Sequence, residues 1–455
     1  MSVNLPHRHR KTLGALGLWL GLTLALPATA SPQIQTWETP NGARVLFVEA
    51  PDLPMIDLRL VFDAGSARDA GRSGLAAMTS AMLTQGAGDW DADAVAERME
   101  DVGATLSSAS LRDMAVVTLR SLTQQPALET ALTTLIQVLS NPRLAAPDLE
   151  RVRQNTLTAL RQAEQDPGTV GQKAFFRAIY GTHPYASDPT GTPQAVAALT
   201  QDDLRSFHGR YYGARNAVVA LVGALTREQA EAIATRVTAS LPGGAGGGEQ
   251  AAPPPPVDGL AAASSAVIEF PSSQTHVLMG QPGMRRGDPD YFPLYVGNHI
   301  LGGSGLVSLL MEEVREKRGL SYSVYSYFSP MRVEGPFLMG LQTKNTQADQ
   351  ARQVLLETLR HFIQEGPSAK ELGAAKQNIT GGFPLRIAGN AKVVEYLAMI
   401  GFYGLPLDYL DRFTAQVEAV TAEQIRDAFT RRIHPERLAV INVGPAAEAL
   451  AGKGD

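Results

Sequence analysis

The chain repeats itself, and that repeat limits what it can fold into. Thr200-Gln201-Asp202-Asp203-Leu204-Arg205 is matched 221 positions later by Thr421-Ala422-Glu423-Gln424-Ile425-Arg426. At the same offset Arg210 answers to Arg431, and Val222-Gly223 to Val443-Gly444. Earlier in each half, Leu149 with Gln154-Asn155 corresponds to Leu372 with Gln377-Asn378, now 223 apart, so a short loop differs in length. Both matched segments read as a Thr-capped helix running into a strand, over Ala217–Val222 and Leu438–Val443. A tandem duplication accounts for such spacing. Between the copies, Gly243-Gly244-Ala245-Gly246-Gly247-Gly248 and then Pro253-Pro254-Pro255-Pro256 make a linker, flexible in its Gly part and stiff in its Pro part.

The expected organisation is therefore residues 1–30 as a leader, 31–242 as one domain, 243–258 as the linker and 259–455 as the second domain. Within the first half, strands over 43–49, 57–63 and 115–121 alternate irregularly with helices over 74–83, 93–102, 128–139 and 146–164. Grouped strands with helices covering one face suggest an α+β fold: two homologous α/β-layered domains, each an antiparallel-rich sheet under helices.

Arg8, Arg10 and Lys11 precede an apolar run over Leu13–Leu26 and the small-residue site Ala28-Thr29-Ala30. That is the pattern of a secretory signal cut near Ala30, and the run is short for a bilayer span. We expect a periplasmic or secreted protein with no stable membrane anchor after cleavage. Removing the leader takes the net charge from −5 to −8, and no basic tract remains to follow a nucleic-acid backbone. Cysteine is absent, which excludes a lipobox, disulfides and a thiol nucleophile.

Catalytic constellations are scarce. Besides His7 and His9 in the leader, the histidines His183, His208, His276, His299, His361 and His434 are scattered, with no pair at i, i+4. His183 falls in the turn Gly181-Thr182-His183-Pro184-Tyr185, where a capping role is expected. No G-x-S-x-G elbow, P-loop or dinucleotide fingerprint occurs, and Gly302-Gly303-Ser304-Gly305 lacks the second spaced glycine of the elbow.

One helix carries a family signature from which the chemistry is missing. Gly74-Leu75-Ala76-Ala77-Met78-Thr79-Ser80-Ala81-Met82-Leu83 resembles the inverted zinc motif of the pitrilysin/insulinase family, G-L-A-H-F-L-E-H-M-L. Ala77, Ser80 and Ala81 stand where that family has His, Glu and His. The helix opening with Glu150-Arg151 is similar to the one that brings the family's third ligand, but Leu157 occupies the ligand position. None of these side chains can hold Zn²⁺, so no metal site and no catalytic residue of its own is expected in this chain.

The second half keeps a different element. Leu309 to Val324 resembles the family's C-terminal L-R-E-x-x-G-L-x-Y-x-V, with Arg315 and Tyr322 seven residues apart. Gly319 should cap the helix and turn the chain so that Tyr322 begins a strand near Arg315. A guanidinium and a phenol placed together can donate to a peptide carbonyl or to the oxyanion formed from it. The residue types alone also admit a structural account, since Arg suits a last helical turn and Tyr suits strands.

The resemblance covers nearly the whole chain after the leader and is to the short, two-domain, processing-peptidase-like members that work as paired subunits. It implies half of a clamshell: a non-catalytic subunit of a zinc metalloendopeptidase acting on peptides or unfolded polypeptides. Arg315 and Tyr322 would then serve in trans beside Zn²⁺ held by a homologous partner subunit. The alternative is a peptide-binding or structural scaffold of the same fold with no part in proteolysis.

Overall fold

The computed structural model describes residues 33–445; the expected leader lies outside the described residues. The first half runs β1 (Gln35–Glu38), β2 (Arg44–Glu49), β3 (Met55–Phe62), α1 (Leu75–Met82), a small hairpin of β4 (Gly86–Ala87) and β5 (Trp90–Asp91), and α2 (Ala92–Glu100). It continues with β6 (Thr105–Ser110), β7 (Ala115–Leu122), α3 (Ala127–Ser140), α4 (Ala146–Ala163), α5 (Pro167–Tyr180), α6 (Pro193–Ala198), α7 (Gln201–Tyr211), β8 (Ala217–Gly223) and α8 (Arg227–Ala239). The second half comprises β9 (Ser264–Glu269), β10 (Gln274–Pro282), α9 (Tyr291–Asn298), β11 (Val324–Phe328) and β12 (Pro336–Lys344). Then come α10 (Ala348–Glu365), α11 (Ala369–Arg386), α12 (Asn390–Tyr403), α13 (Tyr409–Ala419), α14 (Ala422–Arg432) and β13 (Ala439–Gly444).

The repeat read from the sequence extends to whole elements. Helices α4 and α5 recur 223 residues later as α11 and α12, and α7 recurs 221 later as α14. Thr200 and Thr421 cap α7 and α14 in the same way, each hydroxyl taking the N–H of the residue three further on. Two mixed sheets result, in the orders β1-β2-β8-β3-β7-β6 and β11-β12-β10-β13-β9. Each is antiparallel except for one parallel pair, β2 with β8 and β9 with β13.

Strand side chains alternate between two cores. Along β8, Ala217, Val219 and Leu221 face the helices of their own half, while Val218, Ala220 and Val222 face the other way. That second face is covered by α12 of the opposite half, through Val393, Val394, Leu397 and Ala398. Reciprocally, Phe175, Phe176 and Ile179 of α5 pack on Leu278, Ile441 and Val443 of the second sheet. Helices thus cover both faces of each sheet, where the sequence suggested one. A fully apolar strand such as Ala-Val-Val-Ala-Leu-Val must be buried on both sides, and only the exchanged helix can do that.

Close approach makes the exchange possible. A Cβ on Gly401 of α12 would lie 2.5 Å from Val218 Cγ1 and 2.7 Å from Leu46 Cδ1. The exchanged helices end in matching bonds: the Tyr180 hydroxyl donates to the Glu334 carbonyl at 3.0 Å, and the Tyr403 hydroxyl to Asp113 Oδ2 at 3.0 Å. Asp113 also accepts the Arg332 N–H at 2.8 Å and the Tyr185 hydroxyl, so one buried carboxylate ties the two halves.

The linker is docked, not free. Arg215 N–H donates to the Gly247 carbonyl at 2.8 Å, and His183 accepts the Tyr185 N–H at Nδ1 while its Nε2 meets the Pro255 carbonyl at 3.0 Å. His183 is the capped turn residue the sequence suggested. Among the described residues, no helix is long and apolar enough to cross a membrane.

Gly401→Ala should lower stability by about 1–3 kcal/mol in denaturant unfolding, because overpacking against Val218 and Leu46 outweighs the gain in helix propensity. Gly381→Ala in α11, where a Cβ meets nothing within 4 Å, should instead raise it by up to about 1 kcal/mol.

Candidate functional site

Helix α1 is anchored at its N-terminus by a buried carboxylate. Asp69, 2% exposed, accepts the N–H groups of Gly74 and Ala76 at 2.8 Å each and so caps the helix from outside its own sequence. Burial pushes the Asp69 carboxyl up to about 7, against the pull of those two N–H donors. Gly74, at φ 94°, makes the entry turn, and a Cβ there would press on Gly191 and the Thr190 carbonyl.

The three substituted positions differ in setting. Ala77 is half-buried and Ala81 exposed, both on the outward side of α1, whereas Ser80 is buried. The Tyr212 phenol, wholly buried, points at the Ser80 hydroxyl, but the two do not reach hydrogen-bond geometry. Helix α4 lies alongside, with Thr156 Oγ1 3.5 Å from Met78 Sδ, and its Leu157 is half-buried against the first core. The residues present therefore do not fit zinc: Ala77, Ala81 and Leu157 stand where two imidazoles and a carboxylate would be needed to hold it, and Ser80 stands where a carboxylate base would be. Among the described residues, no group of three His, Cys, Asp or Glu side chains is placed to hold a metal ion.

Beside α1 runs a feature that sequence reasoning missed. Among the described residues, strand β6 is the end of its sheet and pairs only with β7, and its Ser108 hydroxyl donates to the Ser80 carbonyl at 2.7 Å. A free strand edge thus borders the ligand-less helix, offering unpaired backbone N–H and C=O groups to an extended peptide. The alternation Thr-Leu-Ser-Ser-Ala-Ser was a usable signal, weakened by its small polar side chains.

Arg315 and Tyr322 are brought together. Arg315 lies in the last turn of a π-helical segment, Met311–Glu316. That segment ends in a left-handed glycine cap: Gly319, at φ 60°, donates its N–H to the Arg315 carbonyl at 2.8 Å, and the next N–H, of Leu320, donates to the Val314 carbonyl at 2.9 Å. Val314 and Leu320 are both buried in the same core, which anchors the turn on either side of Gly319. Ser321 Oγ then lies 2.6 Å from the Gln342 carbonyl and pins the chain to β12. Tyr322 sits on an ordered turn and precedes the strand, which starts at Val324 and not at Tyr322 as the sequence suggested.

The Arg315 guanidinium carbon sits 4.8 Å from the centre of the Tyr322 ring, and Tyr322 is 82% exposed. Neighbouring charges are spoken for: Glu313 takes Lys317 Nζ at 2.6 Å and Arg318 Nη1 at 2.5 Å. Among the described residues Arg315 has only Glu316 at 3.5 Å, a solvent-facing pair of little strength.

Comparison with known proteins places the chain in a family. Residues 44–192 match the family model for insulinase (peptidase family M16), and residues 198–379 match that for the peptidase M16 inactive domain. The crystal structure of a peptidase M16 inactive domain from Pseudomonas fluorescens is 40% identical, with a TM-score of 0.88, covering 91% of this chain and 98% of that one. A non-peptidase homolog, YmxG, of Helicobacter pylori is 27% identical over 90% of this chain and 93% of its own length. An uncharacterized zinc protease of Streptomyces coelicolor is 26% identical over 72% of this chain and 71% of its own. Those names divide between protease and non-peptidase, and this chain has Ala77, Ser80, Ala81 and Leu157 at the positions of the zinc motif. It belongs to the insulinase (M16) family, as a peptidase-like homologue of the inactive-domain type.

Proposed function

We propose that this chain is the non-catalytic subunit of a periplasmic or secreted zinc metalloendopeptidase that cleaves peptides or unfolded polypeptides. It closes the chamber of a homologous, zinc-bearing partner and lends that partner Arg315 and Tyr322. One observation carries the reading: the pair is intact and adjacent on a turn fixed from both sides, while the tyrosine faces solvent. A ring that is 82% exposed beside a neighbouring guanidinium contributes little to this chain's own core, so its use lies outside the fold.

Zn²⁺ held by the partner would supply Lewis-acid polarisation and an activated water there. This chain's part is to hold substrate. The guanidinium and the phenol each donate to a peptide carbonyl, or to the oxygen on which charge develops, without reorganising. The open edge of β6 supports extended peptide by main-chain bonds, which suits substrates read by backbone more than by side chain.

Two measurements test this. In the complex purified with its zinc-bearing partner, Arg315→Ala and Tyr322→Ala should each lower kcat/KM on an unfolded peptide by about 10²–10³, with the complex still assembled. Unchanged rates with both substitutions would leave a scaffold with no part in proteolysis. The isolated chain should also retain no stoichiometric zinc on dialysis, whereas Ala77→His, Ala81→His and Leu157→Glu together should create binding. Zinc-dependent hydrolysis by the unmodified single chain would defeat the proposal.

A further inference from the structure

A pocket of about 250 Å³ opens in the second half between α9, the turn after α12 and the start of α13. Its walls are mainly apolar: Tyr291, Phe292, Leu405 and Tyr409. They are also braced. Tyr291 stacks on Tyr295 with centroids 5.8 Å apart and planes at 6°, and Tyr409 packs at 6.1 Å on the buried Phe413. Such a hollow does not need to be formed by its ligand.

Charge at the pocket is uneven. Asp288 is answered by Arg432 at 2.6 Å, and Asp408 faces Arg412 at 3.6 Å. Arg286, which lines the same hollow, has no carboxylate within ion-pair distance among the described residues. Its Nε is buried without a hydrogen-bond partner, and its guanidinium rests 5.8 Å from the Tyr403 ring centre. Its backbone N–H donates to the Met331 carbonyl at 2.8 Å, fixing the base of the side chain. A cation left over beside an aromatic-lined hollow favours a ligand that brings an anion and an apolar body together. Arginine's planar fork fits a carboxylate in particular.

We propose that this pocket binds a carboxylate joined to an apolar group the size of one large side chain. Arg286 takes the carboxylate, and Tyr291, Leu405 and Tyr409 enclose the apolar part. Two sources share that chemistry, a free apolar acid and the C-terminal residue of a peptide. The inference is independent of Arg315 and Tyr322 and needs no partner subunit.

Calorimetric titration of the full chain with three probes tests it: N-acetyl-phenylalanine, N-acetyl-phenylalaninamide, and a hexapeptide ending in phenylalanine with a free carboxylate. The acid should bind, and the amide should bind at least about ten-fold more weakly, since it lacks the charge-assisted bond. Arg286→Gln should bring the acid down to the level of the amide and leave the amide unchanged, while Arg286→Lys should retain part of the difference. Hexapeptide affinity equal to that of the acid identifies chain ends as the source; exclusion of the hexapeptide while the acid binds identifies free acids. The proposal is overturned if the acid does not bind, if acid and amide bind alike to the unmodified chain, or if Arg286→Gln leaves the acid's affinity unchanged in a folded protein.

Discussion

The exchange of α5 and α12 between the two halves is the interaction on which the rest of the structure rests. Each sheet presents apolar side chains on both faces, and its own half covers only one of them. Separated, either half would expose an apolar sheet face to water and be drawn to aggregate. Joined, each supplies the other's missing layer. The matched ends of the exchanged helices, Tyr180 on Glu334 and Tyr403 on Asp113, then fix where each helix stops.

That division of labour within the fold explains how the metal ligands could be lost without losing the fold. Ala77 and Ala81 lie on the outward side of α1, where a short side chain leaves no cavity. The inward side keeps Leu75, Met78 and Met82 in the first core. The N-terminal support also survives, because it comes from Asp69 and Gly74 and not from the motif positions. Only Ser80 is buried among the replaced residues, and its unpaired hydroxyl beside the Tyr212 phenol marks the one place where the substitution left a polar mismatch.

Much of this was legible in the sequence. Offsets of 221 and 223 located α4, α7, β8 and their second copies, because a duplicated helix keeps its apolar spacing, and α7 its Thr cap as well, whatever it packs against. The substituted helix and the Arg315 element were legible for the same reason, each being a contiguous segment. The exchanged helices were not. Nothing local distinguishes a helix that covers its own sheet from one that covers its neighbour's, since both need the same apolar stripe; only the doubly buried pattern of β8 hinted at a second layer. The linker misled in the opposite direction. Glycine and proline runs describe what a free chain would do, while bonds from Arg215 and His183 to its carbonyls come from residues far away in sequence.

The two halves have also diverged in what their equivalent helices carry. In the first half, the edge strand β6 is tied to α1 by Ser108 and Ser80; in the second, the edge strand β11 is tied to α9 by Ser326, whose hydroxyl donates to Asn298 at 2.8 Å. The supporting contact persists although the residues differ, which is what a shared scaffold requires. Beyond the two helices the likeness ends. After α1 comes a short hairpin, but after α9 the chain winds through two π-helical segments, His299–Gly303 and Met311–Glu316. A π turn inserts a residue into a helix and re-aims the side chains beyond it, so it persists only where surrounding packing favours it over the regular ladder. Here the second such turn sets the register of Arg315 against the Gly319 cap and so brings the guanidinium over Tyr322. The duplicated fold supplied the frame, and this local departure from regular helix made the pair.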